Sequence, residues 1–135
     1  MNIKRGSWAV LAVFIFTMVW GGFYHLVLLK GADLEIRQLY RPDMAGKMWL
    51  SVFGVLGISI LFVIGYSLCS RRGTLLEGMA YGVCFSVLAF LLVDLNQYIL
   101  YPIPFMLILK WYIGGLIEFI VNGLLVSLLY PVRKG

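Results

Sequence analysis

The stretch PFMLILKWYIGGLIEFIVNGLLVSLLY, residues 104–130, decides the fold. Its only charged side chains, Lys110 and Glu118, interrupt an apolar run long enough to cross a hydrocarbon core, which takes about 20 such residues. Three further stretches have the same character: Trp8–Leu29, Met48–Leu68 and Gly78–Tyr101. Over its 135 residues the chain is 62% hydrophobic and 13% charged, where a soluble domain averages about 45–50% and 25%. The reading is an all-α integral membrane bundle of four transmembrane helices. Residues 1–135 form a single transmembrane domain, and the connections leave no room for a separate soluble one.

Lys4 and Arg5 precede the first apolar run, as in a secretory signal, but signal cores are about 7–15 residues long. This run continues through Trp20, Phe23 and Tyr24 to Leu29 and reads as a retained span. Counted by the positive-inside rule, Lys4, Arg5, Arg71, Arg72, Arg133 and Lys134 share one side of the bilayer. Lys30, Arg37, Arg41 and Lys47 lie opposite, among Asp33, Glu35 and Asp43. Both termini are therefore expected in the cytoplasm. These flanks account for the net charge of +5 and favour anionic lipid as a partner, so no nucleic-acid partner is implied. Trp8 and Tyr130 fall at one edge and Trp49 and Tyr101 at the other, where amphipathic rings prefer to lie. In the 30–47 loop, Leu34, Ile36, Leu39 and Tyr40 interleave with charges until Pro42, which stops a helix. A short interfacial helix and a solvated connector both remain open there.

Lipid is as apolar as leucine, so spans associate by close packing at small residues. Gly78 and Gly82 form a GxxxG run, and Ser51, Gly54, Gly57 and Ser59 mark the second span. Gly21 and Gly22 precede His25 by four and three residues, as Gly114 and Gly115 precede Glu118. Each ionisable group thus shares a helix face with a smooth patch. Counting about 100° per residue gathers Leu107, Trp111, Gly114, Gly115, Glu118, Asn122 and Leu125 on one face of the last span, with Lys110 on its flank. The same count puts Val83, Val87, Asp94, Gln97, Tyr98 and Tyr101 together on the third, with Asn96 turned away.

These polar residues form an expected ladder across the membrane. His25 lies nearest the 30–47 loop, Asp94 and Lys110 come next as a pair within reach, and Glu118 with Asn122 lies deepest. The structural reading makes Asp94 and Lys110 a neutralised pair and bonds a protonated Glu118 to Asn122. The functional reading makes the ladder a proton or substrate path, because ionisable groups inside a bundle serve pumps and carriers. A lipid-modifying enzyme is a third class, but the chain shows no nucleophile with an oriented base. Cys69 and Cys84 have no partner at metal-ligand spacing, and His25 alone cannot supply both axial ligands of a haem. No metal site and no cofactor are expected.

Glu77-Gly78-Met79-Ala80-Tyr81-Gly82 at the start of the third span, Asp94-Leu95-Asn96-Gln97-Tyr98 near its end and a carboxylate in the last span resemble short four-span bacterial membrane proteins of unknown function. The resemblance covers most of the chain in span layout. It implies a four-helix bundle in a bacterial inner membrane and no particular activity. The expected function is non-enzymatic, by helix–helix association as a homo-oligomer or as an accessory subunit of a larger membrane complex. A small proton-coupled carrier is the alternative.

Overall fold

A computed structural model describes residues 2–131, so Arg133 and Lys134 lie outside the described residues. Helix α1 (Ile3–Phe23) starts where Asn2 caps it, with Oδ1 accepting the Arg5 N–H at 3.3 Å. That cap brings the first span back to Ile3, and a π-helical turn, Tyr24–Leu28, carries it to Leu28. After α2 (Lys30–Glu35) and two 3-10 turns comes α3 (Met48–Cys69). Thr74 caps α4 (Leu75–Ala89), which continues through a second π turn, Phe90–Asp94, into α5 (Leu95–Leu100). Finally α6 (Phe105–Leu129) follows two prolines that cannot extend α5. The described residues contain no strand, and four helical stretches are long and apolar enough to cross a membrane: Ile3–Leu28, Ala45–Cys69, Leu75–Leu100 and Phe105–Leu129.

The 30–47 segment forms a short helix that folds back on the bundle. Leu29 and Ile36 are buried against Ile103, Leu107 and Ile108, and this apolar cluster closes the loop end. A second cluster, at the end holding the termini, joins Ala9 and Val13 of α1, Phe62, Val63 and Tyr66 of α3, and Val126 of α6. Helix α3 enters only this second cluster. Its contact with α4 runs through rings: Phe62 lies 4.9 Å from Tyr81 and 5.0 Å from Phe85 between centroids. The Tyr81 hydroxyl donates to the Phe62 carbonyl at 3.0 Å.

Helices α4 and α6 meet most closely, backbone against backbone. A Cβ on Gly78 would strike the Gly123 carbonyl, one on Gly82 the Phe119 carbonyl, and one on Gly123 the Gly78 carbonyl. The GxxxG run is thus consumed within one chain, and Gly123 is the partner that spacing alone did not reveal. Accordingly α4 buries Gly78, Gly82 and Ser86, whereas Val83 and Val87, expected on the inward face, are exposed. The reason is that apolar bulk gains nothing by leaving lipid, while small residues let backbones touch.

The other glycines divide. A Cβ on Gly114 would run into the Tyr24 ring, so its packing role stands. Gly21, Gly22 and Gly115 were expected to pack as well, and this is corrected: a Cβ on any of them meets nothing within 4 Å. They lie beside the contact stripe rather than on it. Gly82→Leu is therefore expected to cost about 3 kcal/mol or more by overpacking. Gly22→Ala should gain up to about 1 kcal/mol, since glycine is a poor interior helix residue. Reversible unfolding in mixed detergent micelles measures both, and equal effects would overturn this assignment.

Candidate functional site

Helices α1 and α6 run antiparallel, joined by one hydrogen bond at the terminal end and three between mid-depth and the loop end. The Asn2 N–H donates to the Tyr130 hydroxyl at 3.2 Å, and Asn122 Nδ2 to Thr17 Oγ1 at 3.0 Å. Trp20 Nε1 donates to the Gly114 carbonyl at 3.0 Å and the Tyr24 hydroxyl to the Lys110 carbonyl at 2.6 Å. Thr17, Trp20 and Tyr24 stand three and four residues apart, so one stripe of α1 makes these contacts. Gly114 lets the Tyr24 ring lie flat on α6. Interhelical hydrogen bonds in membranes average about 0.6 kcal/mol each, so together they hold the seam by a few kcal/mol.

Thr17, Glu118 and Asn122 meet halfway along this seam. Glu118 is about 20 Å from the start of α6 and about 16 Å from its end at 1.5 Å per residue. Thr17 lies about 21 Å from the start of α1 by the same rise, which puts both at mid-depth. The expected Glu118–Asn122 hydrogen bond is corrected: the Asn122 amide turns to Thr17 instead. Asn122 is 0% exposed, and its Oδ1 has no hydrogen-bond partner. The Thr17 hydroxyl accepts from Asn122 and also faces the half-buried Glu118 carboxylate. Among the described residues no cationic side chain pairs with Glu118.

The polar groups at the loop end are arranged differently from expectation. His25 Nδ1 lies 2.8 Å from Asp33 Oδ2, so α2 supplies the partner of the only histidine. Asp94 ends the second π turn within coulombic reach of His25. The expected Asp94–Lys110 pair is corrected: no ion pair joins them, and Lys110 is exposed. Helix α6 presents Trp111 instead, its ring 6.5 Å from that of His25, while Lys110 can extend its stem along the surface to water. Trp111 Nε1 and Asp33 Oδ1 are both buried without partners. Burial, and then the Asp33 carboxylate, raise the Tyr40 hydroxyl above its ordinary pKa.

At the opposite end the 70–74 turn wraps around Glu77. Its carboxylate accepts from Ser70 Oγ at 2.8 Å and from the backbone N–H groups of Arg71 at 3.2 Å, Arg72 at 2.9 Å and Gly73 at 2.9 Å. Gly73 sits at φ 68°, a conformation glycine adopts freely. Thr74 and Glu77 have capping-box spacing, and the Thr74 hydroxyl accepts the Glu77 N–H.

Cys69 and Cys84 are free and exposed, and no group of three or more His, Cys, Asp or Glu among the described residues is placed to hold a metal ion. The seam can hold or pass protons, bind a hard cation through oxygen, or simply lock two helices.

Glu77→Gln removes the charge that gathers these donors. Charge-assisted bonds are stronger than neutral ones, but water screens them at an exposed turn, so a small drop in melting temperature is expected. Faster amide exchange should be confined to residues 71–73; unchanged exchange there would show the carboxylate idle. Comparison of the chain with protein-family models, with curated proteins and with solved structures gives no match, so a functional reading rests on this geometry.

Proposed function

We propose that the chain is a non-enzymatic multi-pass protein of a bacterial inner membrane, with both termini cytoplasmic, akin to the short four-span bacterial proteins it resembles. It acts by helix–helix association, as a homo-oligomer or as an accessory subunit of a larger membrane complex. The observation that carries this reading is the loop-end half of α3. From Met48 to Ile58 no residue is buried, and the first buried position is Ser59. The same half carries Ser51, Gly54 and Gly57, with open space where a Cβ on either glycine would stand. Small residues on a lipid-facing surface contribute little to contact with lipid, but they let a second helix approach. The basic flanks of the terminal end support the orientation.

The test is extraction in mild detergent followed by native mass spectrometry. Wild-type protein should leave the membrane as a homo-oligomer or with a larger partner, and Gly54→Leu combined with Gly57→Leu should release it while leaving the monomer's melting temperature unchanged. A wild-type protein that is monomeric in gentle extraction and in cross-linked membranes would end this reading.

A second reading, a small proton-coupled carrier, is favoured by one specific observation, the mid-depth Glu118 with no cationic partner among the described residues. Carboxylates so placed are unusual outside ion pathways. Purified protein in liposomes should then dissipate a pH gradient, and Glu118→Gln should lower the rate at least tenfold. Equal rates in both proteins, or in empty liposomes, would remove the carrier.

A further inference from the structure

We propose that Thr17, Glu118 and Asn122 form an intramembrane site for a monovalent hard cation, sodium, which replaces the proton on Glu118. The inference deepens the carrier reading and rests on its choice of Glu118 as the ion-handling group.

An imbalance between acceptors and donors points to the ligand. The site holds two carboxylate oxygens, the Thr17 hydroxyl oxygen and Asn122 Oδ1. Asn122 Nδ2 is already engaged with Thr17, so once Glu118 has given up its proton the single hydroxyl hydrogen of Thr17 can serve only one of the remaining oxygens. Asn122 Oδ1 stays unpartnered in a residue with no solvent exposure. A buried carbonyl oxygen without a donor is costly, and one beside an unpaired carboxylate at mid-membrane is more so. The acid proton of Glu118 offsets both deficits while it is held, and a cation bound by these oxygens offsets them once it has left.

The donor set also selects among cations. All its atoms are oxygen, which suits hard ions rather than copper or zinc. One carboxylate neutralises one positive charge, whereas a divalent ion would leave a net charge in the hydrocarbon core. Three side chains from two helices fall short of a full shell, so water or helix carbonyls would complete it. Sodium entry balances as exchange: the carboxylic acid releases its proton to water, and the carboxylate then holds the metal ion. No charged side chain of α1, α3 or α4 among the described residues competes for that carboxylate. The facing group is the neutral Thr17 hydroxyl.

The test uses the full chain in detergent and dicyclohexylcarbodiimide, which reacts with protonated carboxyls in apolar surroundings. Labelling of Glu118 is followed by mass spectrometry of the peptide that carries it, in sodium chloride and in choline chloride of equal ionic strength. Sodium should slow labelling progressively, by about tenfold once it reaches ten times its dissociation constant. Thr17→Val, similar in volume, should keep the labelling and lose the sodium effect. Equal labelling in the two salts would overturn the proposal and leave a site for the proton alone. A Glu118 that reacts in neither salt would also overturn it, since the site would not exchange its ion. If Thr17→Val fails to fold, the wild-type comparison decides by itself. Protection without flux in liposomes would keep the site and remove the carrier, whereas flux without protection would keep a proton carrier and remove sodium.

Discussion

The Phe119 and Gly123 carbonyl oxygens occupy the space where side chains would stand on Gly82 and Gly78, so α4 and α6 touch through their backbones. In lipid this contact has to come from packing, because burying an apolar side chain against another helix gains little over leaving it among acyl chains. The rest of the bundle is arranged around that pair. Helix α1 takes the other side of α6, held by side-chain hydrogen bonds and by the Tyr24 ring on Gly114. Helix α3 packs on α1 at Ala9 and Val13 and meets α4 through the rings of Phe62, Tyr66, Tyr81 and Phe85. Rings of that length keep two backbones apart. The buried attachment is confined to the terminal half of α3, and no residue from Met48 to Ile58 is buried.

Between the two apolar clusters lies a thin polar layer of Thr17, Glu118 and Asn122. An apolar layer of the same shape would hold the seam as well, since replacing buried polar groups by well-packed apolar ones is often neutral or stabilising. Helix locking alone therefore does not explain a carboxylate at this depth. Asn122 and Thr17 already satisfy each other in part without it. Glu118 adds charge and acceptors to a place that supplies too few donors, a cost with a return only if something comes to that place.

How much of this was legible depends on which physical signal each feature sends. Four runs of apolar residues give four helices, and the observed ends differ from the read ones mainly where Asn2 and Thr74 cap the backbone upstream of the apolar run. The Gly78–Gly82 seam was readable because lipid leaves small residues as the packing signal. Its partner Gly123 was not, since one glycine carries no spacing. The Asp94–Lys110 pair failed for a geometric reason. Angular counting assumes 100° per residue, and the π turn at Phe90–Asp94 breaks that count at Asp94. Thr17 was overlooked because a lone threonine in a span reads as neutral, although with Trp20 and Tyr24 it forms the one α1 stripe that hydrogen-bonds to α6.

The π turns bear on function as well as on legibility. Each adds a residue to a helical turn and redirects the rest of its helix, a distortion found mostly at functional sites. Here two of four spans carry one, both toward the loop end, and they hold His25 and Asp94. With Asp33 close to His25, that end has its own carboxylate for any charge on the imidazole. The mid-depth layer has a carboxylate and, among the described residues, no cation. The loop-end group thus pairs His25 with Asp33 and ties the 30–47 segment to the helices, while the deeper group has no cationic side chain among the described residues. An ion reaching Glu118 from the loop side would first pass Asp94. The π turn that breaks the helical count on the third span therefore also sets the Asp94 carboxylate between the loop end and Glu118, where an approaching cation would gain from it.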